Sequence, residues 1–332
     1  MAKPDLKCFN AAISACEKAA KWEEAVKLLR KMTDVEPNVV SYSSVISACE
    51  KCAEWEMALK FLNEMKEMGI EPDVTSYSSA ISACEKGGQA DVALSLLAEM
   101  KAEGIRHDNY SYSSAIAACG KGGEKYVDTA LSLLAEMKAE GIRPDVVVYS
   151  SAITACEKGG VKYTDTALSL FNEMKEATLK PDDVTYRAIT KACFDSNRYS
   201  EALKKAREAV DLGMKNNGQP MHIGVSTENG LPMWDLQHLT EAFACMLLSD
   251  ALINLVATNS GPPPKLQDVM VRSNTGKGQV LREKVPTFLN NVAGLETTAI
   301  EGNEGRFLIT AASLEEWVTS GAYDNFHSLF ST

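Results

Sequence analysis

Six of the nine cysteines, Cys16, Cys49, Cys84, Cys119, Cys156 and Cys193, recur at intervals of 33, 35, 35, 37 and 37 residues. A spacing that regular marks an internal repeat, and a repeat restricts the fold more than any composition does. Written out, the repeats run 6–38, 39–73, 74–108, 109–145 and 146–182, with a degenerate sixth at 183–217. The segment ALSLLAEMKAEGIR occurs unchanged at 93–106 and 130–143, the mark of recent duplication.

Each repeat holds two apolar stripes at helical spacing. In the third, Tyr77, Ala80, Ile81 and Cys84 fall at i, i+3, i+4 and i+7, and Ala93, Leu96, Leu97 and Met100 do the same further on. Gly87 and Gly88 break the chain between them, and Gly104 followed by Asp108 ends one hairpin and opens the next. The two extra residues of the fourth and fifth repeats lie between the helices, where a longer turn is tolerated. A lone helical hairpin cannot bury both faces, so the hairpins must stack into a solenoid. The recurrent cysteines, alanines and methionines are then core. Cys49 and Cys52 lack two further ligands for a structural zinc site, and packing is the expected role of Cys49.

A chain of 332 residues has room for about two domains. Its 45% apolar and 24% charged residues fit a soluble globular protein. The odd cysteine count in so long a chain is not that of a secreted disulfide scaffold. A net charge of −11, divided as −5 over residues 1–217 and −6 over 218–332, excludes polyanion binding through bulk charge. A nucleic-acid site would have to be locally basic on an acidic body. The most apolar run, from Phe243 to Val256, is too short to span a bilayer and contains Asp250, so no membrane insertion is expected. Repeat-like sequence begins near Leu6, and no targeting segment is visible before it.

The period, the YSSAISACEK start, the ALSLLxEMK middle and the GIxPD end resemble the pentatricopeptide repeat (PPR) family. The resemblance implies an α-helical solenoid of right-handed superhelical twist. It also implies single-stranded RNA as partner, read one base per repeat along the concave surface of the first helices. In that family the fifth residue of a repeat and its last residue read the base. The implied pairs are Asn10 with Asn38, Ser43 with Asp73, Ser78 with Asp108, Ser113 with Asp145, and Ser150 with Asp182. The sixth repeat has Arg187 in fifth place and no clear partner. A small hydroxyl with aspartate resembles the family's guanine combination, and Asn with Asn its pyrimidine combination. A carboxylate only accepts hydrogen bonds, and guanine's Watson–Crick edge offers N–H donors. The implied target is a pyrimidine followed by four guanines, a G-rich single strand. An aspartate just before a helix is also a good N-cap, worth about 1 kcal/mol, so capping stands beside base reading.

Lys18, Lys51, Lys86, Lys121 and Lys158 take the same place in successive repeats, two residues after the recurrent cysteine. The resemblance puts them near the RNA backbone, and a ladder of ammonium groups can track phosphates. The alternative is a solvated lysine paired with the glutamate just before it, Glu17, Glu50, Glu85 or Glu157.

Character changes near Asn216. Residues 218–232 read as a polar linker, and 233–332 as a small α/β sandwich domain. The expected order is a short apolar run at 233–237, a helix at 240–257, a strand at 265–272, a helix at 279–292, then strands near 298–301 and 306–310. Trp234-Asp235-Leu236-Gln237 stands where the small MutS-related (Smr) domain has L-D-x-H, and Thr275-Gly276-Lys277-Gly278 is similar to its T-G-x-G turn. Some members cut nucleic acid. Here the motif's histidine is Gln237, which cannot act as a base near neutral pH, and His238 is one residue late. Asp235 is the remaining catalytic candidate, and a divalent metal is implied only if this domain cleaves. Thr275 to Gly278, with Lys277, reads as a phosphate-binding turn feeding a helix N-terminus. Plant organelle proteins join the two modules, so the resemblance implies a mitochondrion or plastid. A repeat-guided endonuclease and a protein-binding solenoid within an organelle complex are the rival functions.

Overall fold

The computed structural model describes residues 4–216, 219–221, 223–228, 231–236, 239–258, 269–272, 279–300 and 306–330. The chain divides into two compact units, residues 1–159 with 172–180 and residues 160–171 with 181–332.

The first unit is built of helical hairpins. The first helices are α1 (Leu6–Lys18), α3 (Val39–Lys51), α5 (Val74–Lys86), α7 (Asn109–Gly122) and α9 (Val146–Lys158). Their partners are α2 (Trp22–Arg30), α4 (Trp55–Glu67), α6 (Ala90–Ala102) and α8 (Val127–Ala139), with α10 (Thr164–Glu176) following α9. Each of α1, α3, α5 and α7 packs on the first helix of the next repeat, and each of α2, α4, α6 and α8 wedges against the first helix that follows it. The first helices therefore form a continuous inner layer. At Gly120 the packing leaves no room for a side chain, since an added Cβ would lie 2.9 Å from the Ser151 carbonyl oxygen. The core is the expected one: Tyr77, Ala80, Ile81, Cys84, Ala93 and Met100 are fully buried. Burial pushes the Cys84, Cys119 and Cys156 thiols up to about 11 and that of Cys49 to about 12, so these sulfurs are inert packing groups.

Each hairpin closes with a residue in the left-handed region. Glycine takes that place at Gly69, Gly88, Gly104 and Gly141, but Ala20, Ala53 and Thr178 hold φ of 51°, 59° and 59° at equivalent turns.

In the second unit α11 (Asp183–Asp195) pairs with α12 (Tyr199–Asp211), and both pack against α13 (Glu241–Thr258). A two-stranded ribbon, β1 (Lys215–Asn216) with β2 (Gln219–Pro220), leads to a five-stranded sheet. Its strands are β3 (Gly224–Glu228), β4 (Leu231–Asp235), β5 (Val269–Arg272), β6 (Thr298–Ala299) and β7 (Arg306–Ile309), in the order β3-β4-β5-β7-β6. Strands β4 and β5 pair in parallel, across the α13 connection, and the other neighbours pair antiparallel. Helix α14 (Gln279–Phe288), a π-helical turn at Leu289–Ala293, α15 (Ala311–Thr319) and α16 (Ala322–Ser328) complete the unit. The Phe288 ring lies 5.5 Å from that of Phe194 and 5.8 Å from that of Tyr199.

From β4 onward this is the expected order of strand, helix, strand, helix and two strands. The difference is β3, which occupies part of the stretch read as a linker. Its register pairs Glu228 with Leu231. The sequence between them is Asn-Gly, the dipeptide that two-residue hairpins favour, so the signal was present.

Candidate nucleic-acid interface

The residues ending the repeats are helix caps. Asn38, Asp73, Asp108, Asp145 and Asp182 each accept the backbone N–H three residues on, at 3.2, 2.9, 2.8, 3.0 and 2.8 Å. Each places a side-chain oxygen at the start of a first helix, where orphan N–H groups need an acceptor.

Two of these caps also meet the fifth residue of their own repeat. Asn10 Nδ2 donates to Asn38 Oδ1 at 3.2 Å, and Ser78 Oγ donates to Asp108 Oδ1 at 3.2 Å. Ser43 instead donates to the Val40 carbonyl at 3.3 Å, while Asp73 is exposed. Asp145 Oδ2 accepts from Asn109 Nδ2 at 3.1 Å. Asn109 opens α7, where α3, α5 and α9 begin with Val39, Val74 and Val146. Ser43, Ser78, Ser113 and Ser150 are buried, so the carboxylates are the more accessible members of their pairs.

Three residues before the fifth position, sequence reasoning overlooked a second feature. Val40, Tyr110 and Val147 are large apolar side chains about half exposed, and Val184 takes the same place in α11. Residues three apart share a helix face, so each lies on the side of its helix that carries the fifth residue. The signal was available as a register position outside the buried stripe that is apolar in four of the six repeats, with Lys7 and Thr75 in the other two. Tyr110 departs from valine. Its hydroxyl donates to Glu50 Oε1 at 3.1 Å or to Ser82 Oγ at 2.9 Å, so its ring lies along the inner layer over two repeats. Burial pushes its pKa up and keeps the proton on.

All five ladder lysines are exposed. For Lys51, Lys86 and Lys121 the partner is not the glutamate just before the lysine, because adjacent residues on a helix point apart. These three reach back one repeat: Lys51 to Glu17 at 2.8 Å, Lys86 to Glu50, and Lys121 to Glu85 at 2.6 Å. Glu50 is buried and also accepts from Ser82 at 3.2 Å. The rule breaks at α7, where Gly120 stands in the glutamate's place. Lys158 accordingly donates to the Lys121 carbonyl at 3.3 Å.

In the second unit, half-buried Asp235 ends β4 between its register partners Gly224 and Arg272. Gln237, His238 and the turn Thr275, Gly276, Lys277 and Gly278 lie outside the described residues. Among the described residues no helix is long and apolar enough to cross a membrane.

The comparisons agree with this geometry. The PPR repeat family matches residues 4–51 and 37–86, the PPR repeat 75–105, and the pentatricopeptide repeat domain 95–159 and 132–196. The chain belongs to the pentatricopeptide repeat family. These matches end at residue 196 and lend nothing to the Smr resemblance. No curated protein matches the sequence. Among solved structures, the pentatricopeptide repeat protein PPR10 from maize is 19% identical with a TM-score of 0.51, over 98% of this chain and 42% of that one. PPR10 in complex with an 18-nt psaJ RNA element is 14% identical with a TM-score of 0.44, over 99% of this chain and 46% of that one. The chain thus spans 42% of the maize protein's length, and the likeness is one of fold.

Proposed function

We propose that the repeat array binds single-stranded RNA along its first-helix layer, reading a pyrimidine followed by guanines. The observation that carries this reading is the contact between Ser78 and Asp108, with the exposed apolar positions on the same helix faces. Asp108 Oδ1 is held by the Ser111 N–H and the Ser78 hydroxyl, which leaves Oδ2 as the acceptor for a guanine N–H. The buried serine positions the carboxylate, and the carboxylate reads. Val40, Tyr110, Val147 and Val184 supply faces on which bases stack. By family resemblance the RNA belongs to a mitochondrion or plastid, where binding serves RNA processing, stabilisation or translation. Sequencing RNA crosslinked to the full chain tests the reading. A pyrimidine-GGGG core among crosslinked fragments supports it, and crosslinks without base preference overturn the code.

Two other readings each rest on one observation. The strand and helix order from β4 to β7, with Asp235 at a strand end, favours an Smr-like domain that cuts nucleic acid with a divalent metal. RNA cleavage lost in Asp235→Ala would support it. The pairing of ladder lysines with glutamates on an acidic body favours a protein-binding solenoid, and an absence of RNA crosslinks along the first helices would support that one.

A further inference from the structure

Four repeat junctions carry a proline just before the capping residue, at Pro37, Pro72, Pro144 and Pro181, whereas the junction before α7 carries His107. The imidazole is buried. Its Nε2 lies 3.1 Å from the Leu97 carbonyl oxygen, which can only accept, so Nε2 bears the proton. Nδ1 then carries the lone pair, which accepts from the Tyr112 hydroxyl at 3.1 Å and would serve as a ligand once that hydroxyl turns away. The carboxylates of Glu136 and Glu140, at the end of α8, lie beside the imidazole. One ligand atom from each of His107, Glu136 and Glu140 lies within 4.8 Å of the others.

We propose that His107 Nδ1, Glu136 and Glu140 form a binding site for a divalent transition-metal ion of the zinc class, completed by water. The donor set is one imidazole and two carboxylates, with the imidazole's far nitrogen tied to a backbone carbonyl. Metal-bound histidines show that tether almost without exception, because it fixes the tautomer and the ring orientation. Ligand atoms around a tetrahedral zinc stand about 3.4 Å apart at bond lengths near 2.1 Å. Exposed Glu140 can rotate to close the remaining gap. Charge favours a cation, since Lys101 offsets only one of the two carboxylates. On binding, the Tyr112 hydroxyl would give up its contact with Nδ1 and donate to a carboxylate instead.

The corresponding tyrosines show what is particular here. Tyr42 donates to Glu64 at 3.0 Å, Tyr77 to Glu103 at 2.7 Å and Tyr149 to Glu173 at 2.9 Å, with proline at each neighbouring junction. Among these repeats the fourth alone adds an imidazole nitrogen to the arrangement. An ion there would tie the entry of α7 to the end of α8.

The test is titration of the full chain with Co²⁺ alone, read by visible absorption, and with Zn²⁺ alone, read by melting temperature. We expect one equivalent bound, d–d bands without the thiolate charge-transfer band that cysteine ligation gives, and a melting temperature that rises with Zn²⁺. His107→Pro restores the residue found at the other junctions and so preserves the fold while abolishing the signal. Glu140→Gln, at an exposed position, weakens binding at least about tenfold. Absence of Co²⁺ binding by the wild-type chain overturns the proposal, as do a thiolate band, undiminished binding by His107→Pro, or unchanged affinity in Glu140→Gln.

Discussion

The Ser78 hydroxyl and the Ser111 backbone N–H converge on one oxygen of Asp108, at 3.2 and 2.8 Å, so a single carboxylate both caps α7 and is aimed by α5. Capping and base reading are thereby separable by chemistry. Asn caps a helix about as well as Asp, so Asp108→Asn should melt within about 0.5 kcal/mol of wild type. Its amide offers a donor as well as an acceptor, which matches adenine's mixed edge rather than guanine's. On the base-reading proposal, affinity for short RNAs should move from G to A at the one position in register with the third repeat. An unchanged melting curve with an unchanged base preference would leave Asp108 as a cap alone.

Asp145 is the exception among these carboxylates, because Asn109 Nδ2 engages its Oδ2 at 3.1 Å. If the carboxylate reads guanine, Asn109 competes for the reading oxygen. Asn109→Val, the residue of α3, α5 and α9, should therefore strengthen the preference for G at the fourth repeat's position several-fold, with little change at its neighbours. Equal affinities for G and A at that position in both proteins would show that Oδ2 does not face the base.

Thr178 closes its hairpin at φ 59°, where equivalent turns carry Gly69, Gly104 and Gly141. A β-branched residue there is strained, since the left-handed conformation costs an L-residue roughly 1–2 kcal/mol. Glycine's larger chain entropy offsets part of the relief. Thr178→Gly should raise stability by about 0.5–1 kcal/mol in denaturant melts, and Ala53→Gly by somewhat less. A loss of stability in Thr178→Gly would mean that its side chain makes a contact worth more than the strain.

Buried thiols set an alkaline limit. Cys49 and Cys193 are pushed up to about 12 by burial, and Cys84, Cys119 and Cys156 to about 11. A thiol whose pKa is raised on folding leaves stability undiminished below the unfolded value near 9 and costs it above that value, where the unfolded thiol ionises and the folded one does not. The sign follows from the proton count. Above pH 9 the unfolded chain holds fewer protons than the native one, so ionisation of these thiols favours unfolding. Melting temperature should therefore fall between pH 9 and pH 11. In native protein at pH 8, a thiol reagent should reach exposed Cys8 first and the repeat-core cysteines only on unfolding. Rapid labelling of Cys84 at that pH would contradict its burial.

The fold was legible because a repeat makes each residue's environment recur. Once Cys84 is core, Cys49 and Cys119 are core too, and glycines at equivalent turns mark the hairpins. What escaped was whatever a repeat hides in the packing between its copies. Glu85 lies next to Lys86 in sequence yet meets Lys121, because pairing is decided by the stacking of α5 on α7 rather than by adjacency. Tyr110 and His107 escaped for the opposite reason. Each replaces the commonest residue of its register position, valine for one and proline for the other, and a consensus reading averages such departures away. Asp235 illustrates a third limit: a strand end can be placed from a motif, but a catalytic role needs the neighbours that surround it.

The break in the lysine ladder gives a sharp test of its role. Lys51, Lys86 and Lys121 each meet a carboxylate, whereas Lys158 meets a backbone carbonyl, because Gly120 replaces the glutamate. A lysine already paired has less to gain from a phosphate, so on the phosphate-binding reading Lys158→Ala should cost more RNA affinity than Lys121→Ala. Removing one ammonium from a phosphate of a single strand should also flatten the log–log salt dependence by roughly 0.7. The converse variant removes a competitor. Glu85→Gln frees Lys121 and should tighten binding whatever the RNA sequence, with a steeper salt slope. Restoring a carboxylate at position 120 is not a usable control, since any Cβ there meets the Ser151 carbonyl oxygen at 2.9 Å. The measurement is RNA affinity across a salt series for wild type and the three variants. Identical slopes in all of them would reduce the ladder to cross-repeat ion pairs that hold α1, α3, α5 and α7 in register.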